Sequence, residues 1–293
     1  MKSVFNERQI QLRDVGPVVA GRTCQIVCPV GPRYKAVTIG FGDTAVLNGN
    51  APALATYIGE LRVNYLGGIQ RRVLASRQDA IYLRYGARFA SRAAVSGGAN
   101  GTGRTHFTLW FSEPWRKRSP DDDVTALQTG FFGKSDQLII EVELLAPAGF
   151  VPSIEAVALV DDFNGGKPHA IVKWDTHDVP AVGTPINYSK LDKKDDYLQL
   201  SIFDTSDAKT IDTVRLEQGS IPIVDNISKQ FNETQLLGAA DIDEAAGVYD
   251  IVLDKDDDLR GGIPAQGLTL IATPSAAANG TMPVIAQRLG LPE

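Results

Sequence analysis

Side chains that commonly carry catalysis or bind metal are scarce in this sequence. Its 293 residues include two Cys and three His, and His106, His169 and His177 have no Ser, Cys or carboxylate partner in a recognisable catalytic order. Cys24 and Cys28 lie in a strand-like segment, where four residue steps separate their Cα atoms by about 13 Å. A disulfide allows only about 7 Å. We therefore expect two buried free thiols, no metal centre at this pair and no enzymatic activity.

Long apolar runs are also missing. No stretch approaches the roughly 20 apolar residues that a helix needs to cross a bilayer. The chain becomes charged at Glu7 and Arg8 before an apolar secretion signal could form. On these grounds we expect a soluble chain that is made in a cytosol.

The excess of acidic residues lies entirely in the second half of the chain. Residues 1–150 hold 18 Lys and Arg and 12 Asp and Glu, a net charge of +6, whereas residues 151–293 hold 11 and 23, a net charge of −12. This division predicts either that the two halves meet different neighbours or that the positive half of one copy meets the negative half of another. The alternative is two solvated surfaces that simply differ. The basic residues do not interleave with aromatic residues as a single-strand groove requires, so no specific nucleic-acid partner is expected.

Strand-like runs that alternate apolar and polar residues dominate both halves. The first half contains six of them, at 24–30, 36–41, 60–66, 69–75, 106–112 and 137–145. The second half contains six more, at 154–160, 170–174, 197–203, 210–217, 248–253 and 268–272. Because a single sequence hides some short strands, we predict an all-β chain of two tandem eight-stranded jelly rolls with short inserted helices. The N-terminal jelly roll is predicted over 1–147 and the C-terminal one over 148–293, on either side of a Pro- and Ala-rich break.

Turn and helix signals interrupt the strands. Two glycines, Gly67-Gly68, lie between alternating runs and predict a tight β-hairpin. In the second half, the pattern predicts an amphipathic helix from about Asp225 through Phe231 to Leu237. The small-residue tail that begins at Pro274 is expected to become ordered only against a neighbour.

A longer helix is predicted in the first half, from a capping Ser76 to about residue 94, with the Asp79 carboxylate favouring its N-terminus. Its basic face would carry Arg84, Arg88 and Arg92. A row of arginines on a helix can contact an acidic neighbouring subunit or anionic lipid headgroups. We therefore take these three residues as candidates for a subunit-interface or lipid-facing surface.

Two kinds of motif could bind a ligand or could be loops without a ligand. The glycine-rich segment 98–105 has phosphate-loop spacing, but Arg104 replaces the lysine. The residues that follow it predict a strand instead of a helix, which argues against nucleotide binding. Acidic clusters occur at 121–123, 161–162, 241–244 and 254–258. Among them Asp254, Asp256 and Asp258 are candidate ligands of a structural Ca²⁺, and solvated loops are the alternative because no cluster has EF-hand spacing.

Several segments of the first half follow one another in an order and spacing that a known family shares. They are 5–21, 23–31, 34–37, 61–63 with the following hairpin, 107–114, and 126–130 leading into 138–142. On these segments the chain resembles the double jelly-roll major capsid proteins of tailless, internal-membrane icosahedral phages of the corticovirus type. The similarity covers roughly residues 5–145. In the second half it is limited to the general β layout and a terminal strand.

The resemblance implies a structural protein of the virion capsid, assembled in the cytoplasm of a bacterial host. It implies a homotrimer in which six jelly rolls form a pseudo-hexagonal capsomer, with the inner end of the barrels above a lipid bilayer. The implied partners are further copies of the chain in a capsid lattice, vertex and membrane proteins of the virion, and, indirectly, lipid. No cofactor is implied beyond the calcium that stabilises virions in this family.

Two other functions fit a β-rich chain. A carbohydrate-binding or receptor-binding jelly-roll module would present an exposed aromatic platform, and Trp115 and Trp174 are the candidates because Trp110 lies inside a predicted strand. A glycoside hydrolase on a β-sandwich is the enzyme alternative, although no carboxylate pair stands out.

Overall fold

Two compact units make up the chain in the computed structural model, which describes residues 7–44, 53–95, 103–115, 125–130, 137–162, 170–191, 194–240, 242–243, 246–254 and 262–292. The first unit comprises Met1–Ile171 and Leu291–Glu293, and the second comprises Val172–Gly290. Both units consist mainly of antiparallel strands.

The described part of the first unit contains short and long strands and two helices. In chain order they are β1 (Arg8–Leu12), β2 (Asp14–Val15), β3 (Thr23–Val27), β4 (Arg33–Asp43), α1 (Leu54–Tyr57), β5 (Ile58–Tyr65), β6 (Gly68–Leu74), α2 (Ala75–Arg84), β7 (Arg92–Val95), β8 (Gly103–Trp110), β9 (Leu127–Gln128), β10 (Ile139–Leu144) and β11 (Pro152–Asp161). One sheet has the order β1-β11-β4-β8-β7, with β9 beside β4, and the other contains β6-β5-β10-β3-β2. Buried and half-buried residues alternate along β8 and β5, as expected of strands with one face on a core.

The described residues of the second unit form nine strands and one helix. They are β12 (Ile171–Gly183), β13 (Ile186–Tyr188), β14 (Asp196–Phe203), β15 (Ile211–Gln218), β16 (Ile221–Ser228), α3 (Lys229–Ala240), β17 (Val248–Val252), β18 (Ile263–Pro264), β19 (Leu268–Pro274) and β20 (Ala278–Gly290). Its sheets have the orders β17-β14-β20-β12, with β18 beside β14, and β13-β19-β15-β16. Apolar side chains from both sheets, such as Leu200, Leu216 and Val284, form one core cluster.

The two units repeat one strand order. When β2, β7, β9 and β18 are set aside, each unit has eight principal strands, and in each the first, eighth, third and sixth form one sheet. The second, seventh, fourth and fifth form the other. This arrangement is that of an eight-stranded jelly roll, so the predicted fold of two tandem jelly rolls with inserted helices is confirmed. In both units a helix, α2 or α3, follows the fifth principal strand.

The boundary between the units lies later than the sequence predicts. The predicted C-terminal domain begins at residue 148, but β11 lies after that point and pairs with β4 along its whole length and with β1 on its other side. It is thus the eighth principal strand of the first jelly roll. The run of small and apolar residues gave no sign of the sheet to which this strand belongs.

The predicted hairpin forms, but with a different turn. The pair Tyr65 and Gly68 closes it, so the two turn residues are Leu66 and Gly67 instead of Gly67-Gly68. Both have positive φ, 56° for Leu66 and 83° for Gly67, as the turn type that suits the twist of a hairpin requires.

Helix α2 is shorter than predicted, and helix α3 begins and ends later in the chain than predicted. Helix α2 ends at Arg84, and its N-cap residue is Leu74, so Ser76 lies within the first turn instead of capping the helix. Helix α3 begins at Lys229 instead of Asp225, because the preceding residues form strand β16. Among the helices in the part of the chain that the structure describes, none is both long and apolar enough to span a bilayer.

The predicted tail is wrong. Residues 278–290 form the long strand β20, which lies between β14 and β12 inside a sheet of the second unit. Met282, Val284, Ile285 and Ala286 are completely buried. The abundance of Ala, Gly and Pro in this segment concealed a central strand.

Candidate functional site

The three arginines predicted on one helix face lie in three different environments. Arg84 is the last residue of α2 and is 1 % exposed. Arg88 lies in the turns that follow, and Arg92 begins strand β7; both are exposed. The predicted arginine row is therefore wrong: burial removes Arg84 from any surface, while Arg88 and Arg92 remain surface cations.

Aromatic packing fixes the segment that carries Arg88. Its guanidinium carbon lies 4.6 Å from the ring centre of Phe89. Phe89 makes edge contacts with Trp110 at 5.8 Å and Trp115 at 5.4 Å between ring centres. A cation over a packed aromatic ring loses freedom before any partner arrives. This contact holds Arg88 at the surface in a defined position.

Hydrogen bonds attach the same segment to the jelly roll. The Tyr82 hydroxyl accepts from Gln78 Nε2 at 2.7 Å and from the Trp110 backbone N–H at 3.2 Å, which joins α2 to β8. The Asp79 carboxylate accepts from the Ser91 backbone N–H at 2.5 Å and from its hydroxyl at 2.7 Å. Asp79 was predicted to stabilise the helix N-terminus, but it ties the chain after the helix back to α2.

In the second unit, helix α3 has large apolar side chains that are exposed to solvent. Ser228 Oγ accepts a 3.4 Å hydrogen bond from the Phe231 N–H near the helix start, and Asn232 donates a 2.6 Å bond to the Asp250 carbonyl of β17. Leu236 is buried beneath the helix, whereas Phe231 is 71 % exposed and Leu237 57 % exposed. The sequence predicted an amphipathic helix here, but polar Asn232 faces inward and two large apolar residues face outward.

A groove runs along this helix. Its lining includes Lys229, Gln230, Glu233, Thr234 and Leu237. These side chains do not form a catalytic arrangement, because a nucleophile with an adjacent base is absent from this described set. The groove is a surface feature of mixed polarity that another protein could cover.

Each unit also buries a cluster of charges. In the first, Arg33 donates to both Asp161 oxygens at 2.9 and 2.5 Å, and Lys35 lies 3.9 Å from the same carboxylate. Lys35 also contacts Glu7. These groups sit where β4 begins and β11 ends, and Asp161 has no exposed surface. They fix the end of the sheet and offer no open position for a substrate.

The second unit has the equivalent cluster with the signs exchanged. The cation is now on the eighth strand, where Arg288 contacts Asp175 and lies 3.1 Å from Asp195. Lys173 is 3.1 Å from Asp195 as well. Asp195 immediately precedes the third strand, β14, which corresponds to β4 in the first unit.

The other candidate residues are structural or lie outside the description. Both thiols are free, and Cys24, Cys28 and Ile26 between them are completely buried, as predicted; burial raises the pKa of Cys28 to about 12. Asp254 is buried at the end of β17, whereas Asp256 and Asp258 lie outside the described residues, as do most of segment 98–105 and all of 121–123. Within the described ranges, no group of three metal-ligating side chains could hold an ion.

The described histidines and tryptophans do not form the sites that the alternative functions need. His106 Nε2 lies 3.9 Å from Glu155, and His177 Nδ1 is 3.1 Å from the Tyr188 hydroxyl. His169 lies outside the described residues. Trp115 is 8 % exposed and Trp174 only 1 %. Buried indoles cannot stack on a sugar ring, so the predicted aromatic platform is not formed by either tryptophan.

Comparison with known proteins gives matches at the level of structure. No protein-family model and no curated protein sequence matches the chain. Among solved structures, the major capsid protein P2 of bacteriophage PM2 has a TM-score of 0.73 and 16 % identity, covering 98 % of each chain. The capsid of PBCV-1 virus has a TM-score of 0.69 and 12 % identity, covering 97 % of this chain and 93 % of the other. The major capsid protein of STIV has a TM-score of 0.65 and 11 % identity, covering 98 % and 97 %.

These matches extend over nearly the whole of each chain, so the likeness includes both jelly rolls and their order. The structures concerned are double jelly-roll capsid proteins, which are structural proteins and not enzymes. The fold to which the sequence pointed is confirmed: the chain has the double jelly-roll fold of viral major capsid proteins.

Proposed function

We propose that this chain is the major capsid protein of an icosahedral, membrane-containing bacteriophage, and that it has no catalytic role. The observation that carries the proposal is the repetition of one jelly-roll order in two units of a single chain, in a fold shared over 98 % of both chains with a phage major capsid protein. At 16 % identity this likeness concerns the fold, and the function is inferred from it.

The duplication gives a physical reason for a trimer. Three copies of a chain with two similar units place six similar units around one axis, which produces a nearly six-fold capsomer from three-fold symmetry. Such a capsomer packs closely with its neighbours in a shell. The partners proposed for this chain are therefore further copies of itself, first in the trimer and then in the lattice, together with vertex and membrane proteins of the virion.

The charge division supports this arrangement. The first unit, Met1–Ile171 with Leu291–Glu293, holds 19 Lys and Arg and 16 Asp and Glu, a net charge of +3, and the second, Val172–Gly290, holds 10 and 19, a net charge of −9. A closed ring of chains brings the first unit of one copy against the second unit of the next. Opposite charges at such contacts favour the correct neighbour over the wrong one. The predicted lipid contact is indirect, since the inner end of a capsomer would stand above the membrane and not within it.

Electron microscopy of the purified full chain tests the proposal. We expect particles with a pseudo-hexagonal outline at high protein concentration, and flat or curved arrays where they associate. Repeating the preparation with calcium and then with a chelator tests the proposed structural Ca²⁺: loss of the particles in chelator supports it, and unchanged particles remove it. Isolated chains without regular association in every condition would contradict the capsid function.

A further inference from the structure

We infer that the exposed face of α3 binds the segment after α2 of a second copy of this chain. The two surfaces are named here by their residues: the α3 surface is Phe231, Leu237, Asp225 and Asp243, and the α2 surface is Leu83, Arg88 and Arg92. This inference rests on the proposed capsid function and adds the residues through which neighbouring copies recognise each other.

The centre of the α3 surface is apolar and firmly held. Phe231 and Leu237 are 71 % and 57 % exposed, although they lie on a helix whose other side is fixed by Asn232 and Leu236. Exposure of two large apolar side chains to water is unfavourable, and a partner that buries them would stabilise the complex. Aromatic side chains on rigid elements are also the residues that most often dominate interfaces.

Exposed acidic side chains precede and follow this helix in the chain. Asp225 precedes the helix, and its side chain is 63 % exposed; Arg215 lies 3.6 Å away but is closer to Glu217, at 2.5 Å. Asp243 is exposed just beyond the helix, next to Ile242, whose N–H donates to the Leu236 carbonyl at 3.4 Å. A carboxylate close to the C-terminal end of a helix is unfavourable unless a cation approaches it. The α3 surface therefore favours a partner that is apolar in its centre and basic at its edge.

The α2 surface has these two properties. Leu83 is 50 % exposed on the last turn of α2, and Arg88 and Arg92 are exposed on the chain that follows. Residues 80–95 contain no Asp or Glu. Because Phe89 holds Arg88 and the Asp79–Ser91 hydrogen bonds hold the chain before Arg92, these cations are positioned before binding.

The two surfaces have opposite charge, and each has exposed apolar side chains. A second copy of the chain therefore fits as the partner. Each copy carries one α2 surface in its first unit and one α3 surface in its second. A head-to-tail contact between two copies therefore leaves the α2 surface of one copy and the α3 surface of the other free for a further copy. Contacts of this kind continue until the ring closes. This is the type of contact that a trimeric capsomer needs.

Substitution of the apolar centre is the direct test. The variant Phe231→Ser/Leu237→Ser in the full chain is expected to raise the concentration at which the oligomer dissociates by at least about tenfold, measured by light scattering over a dilution series. Ile221→Ser is the matched control. Ile221 is also 71 % exposed, but it lies at the far end of β16, roughly 25 Å along the strand from α3. It should leave the dissociation unchanged, and circular dichroism should show that all variants are folded.

A charge exchange tests the identity of the partner surface. Arg88→Glu/Arg92→Glu and Asp225→Arg/Asp243→Arg should each weaken association, and the variant with all four substitutions should recover at least part of it. If the wild-type chain is oligomeric and the α3 variant is equally oligomeric, the inference is overturned while the capsid function stands. If the fourfold variant is weaker than both parents, the α2 surface is not the partner. A monomeric wild-type chain would instead count against the proposed function itself.

Discussion

Asp161 illustrates how a single residue sets the end of a jelly-roll sheet. Its carboxylate is completely buried, yet it receives two hydrogen bonds from the Arg33 guanidinium, and Lys35 lies nearby. The desolvation cost of such a pair is large, so the net gain over an apolar pair is small. Removing one partner is different, because it leaves an uncompensated charge in the protein interior.

We therefore expect Asp161→Asn to lower the free energy of unfolding by about 3–5 kcal/mol. The neighbouring Asp162 is the matched control: it pairs with Arg8, but both side chains are 51 % exposed. Asp162→Asn should cost at most about 1 kcal/mol. Urea unfolding followed by circular dichroism measures both values, and equal effects at the two positions would show that Arg33–Asp161 is not the buried pair described.

Cys28 gives a prediction about pH. Burial raises the pKa of its thiol to about 12 from an ordinary value near 9, so the folded protein keeps the proton to a higher pH than the unfolded chain does. The stability from this group is complete below pH of about 9 and is lost as the pH rises through about 12. Near neutral pH, a thiol reagent should label neither cysteine of the folded protein and both in concentrated guanidinium chloride. Rapid labelling without denaturant would contradict the burial.

Single residues were predictable where local pattern decides their burial. The spacing of Cys24 and Cys28 in a strand was enough to predict two buried free thiols. The burial of Arg84 was not predictable, because the position at which α2 ends depends on the aromatic residues that pack against the following turns. The same reason explains why Asp79 binds Ser91, twelve residues later, instead of capping its own helix.

At the scale of elements, strands with strict alternation were the easiest to predict. Most of the predicted runs correspond to strands of the structure within a few residues, including β5, β8 and β14. Strand β13 was missed because it is only three residues long. The second half of β16, from Asp225, was assigned to a helix because β16 is an edge strand with polar residues on both faces. Neighbouring strands decide these cases, and a local window does not contain them.

The hairpin between β5 and β6 allows a test of the corrected turn. Gly67 has a φ of 83° and no atom within 4 Å of an added Cβ, so Gly67→Ala should cost about 1 kcal/mol through backbone strain alone. Gly68 begins β6 and lies outside the two turn positions. Gly68→Ala should therefore be the milder substitution in thermal unfolding, and the reverse order would favour the turn predicted from the sequence.

Strand β20 gives the strongest prediction at this scale. Since it lies between β14 and β12 and supplies buried residues such as Val284 and Ile285, deletion of 278–293 should prevent the second unit from folding. Deletion of 291–293 alone is the control and should be tolerated. In hydrogen exchange of the intact chain, the amides of β20 should be among the slowest. Rapid exchange along β20 would restore the view of this segment as a tail.

At the scale of the whole molecule, the sequence predicted two jelly rolls but not where the first one ends. The composition break at 146–152 was a reasonable boundary, yet β11 follows it and completes the first jelly roll by pairing between β1 and β4. Long-range pairing of this kind determines domain membership and leaves little trace in composition. The charge difference between the halves, in contrast, is visible in the sequence and directed attention to contacts between copies.

The repeated strand order and the two helices that follow the fifth strands make the chain a duplicated building unit. The buried charge clusters occupy equivalent places in both units with exchanged signs, so the two jelly rolls are similar in form and distinct in chemistry. A ring of copies can use the opposite net charges of the two units to place first and second units alternately around its axis. We expect this alternation in the assembled oligomer.

The solution mass of the purified full chain, measured by light scattering, tests whether the copies form such a closed ring. One chain has a mass of 31.5 kDa, and we expect a closed species of three copies, about 95 kDa, that persists on moderate dilution. A mass of a single chain at every concentration, or an open series of masses without a stable species, would contradict it.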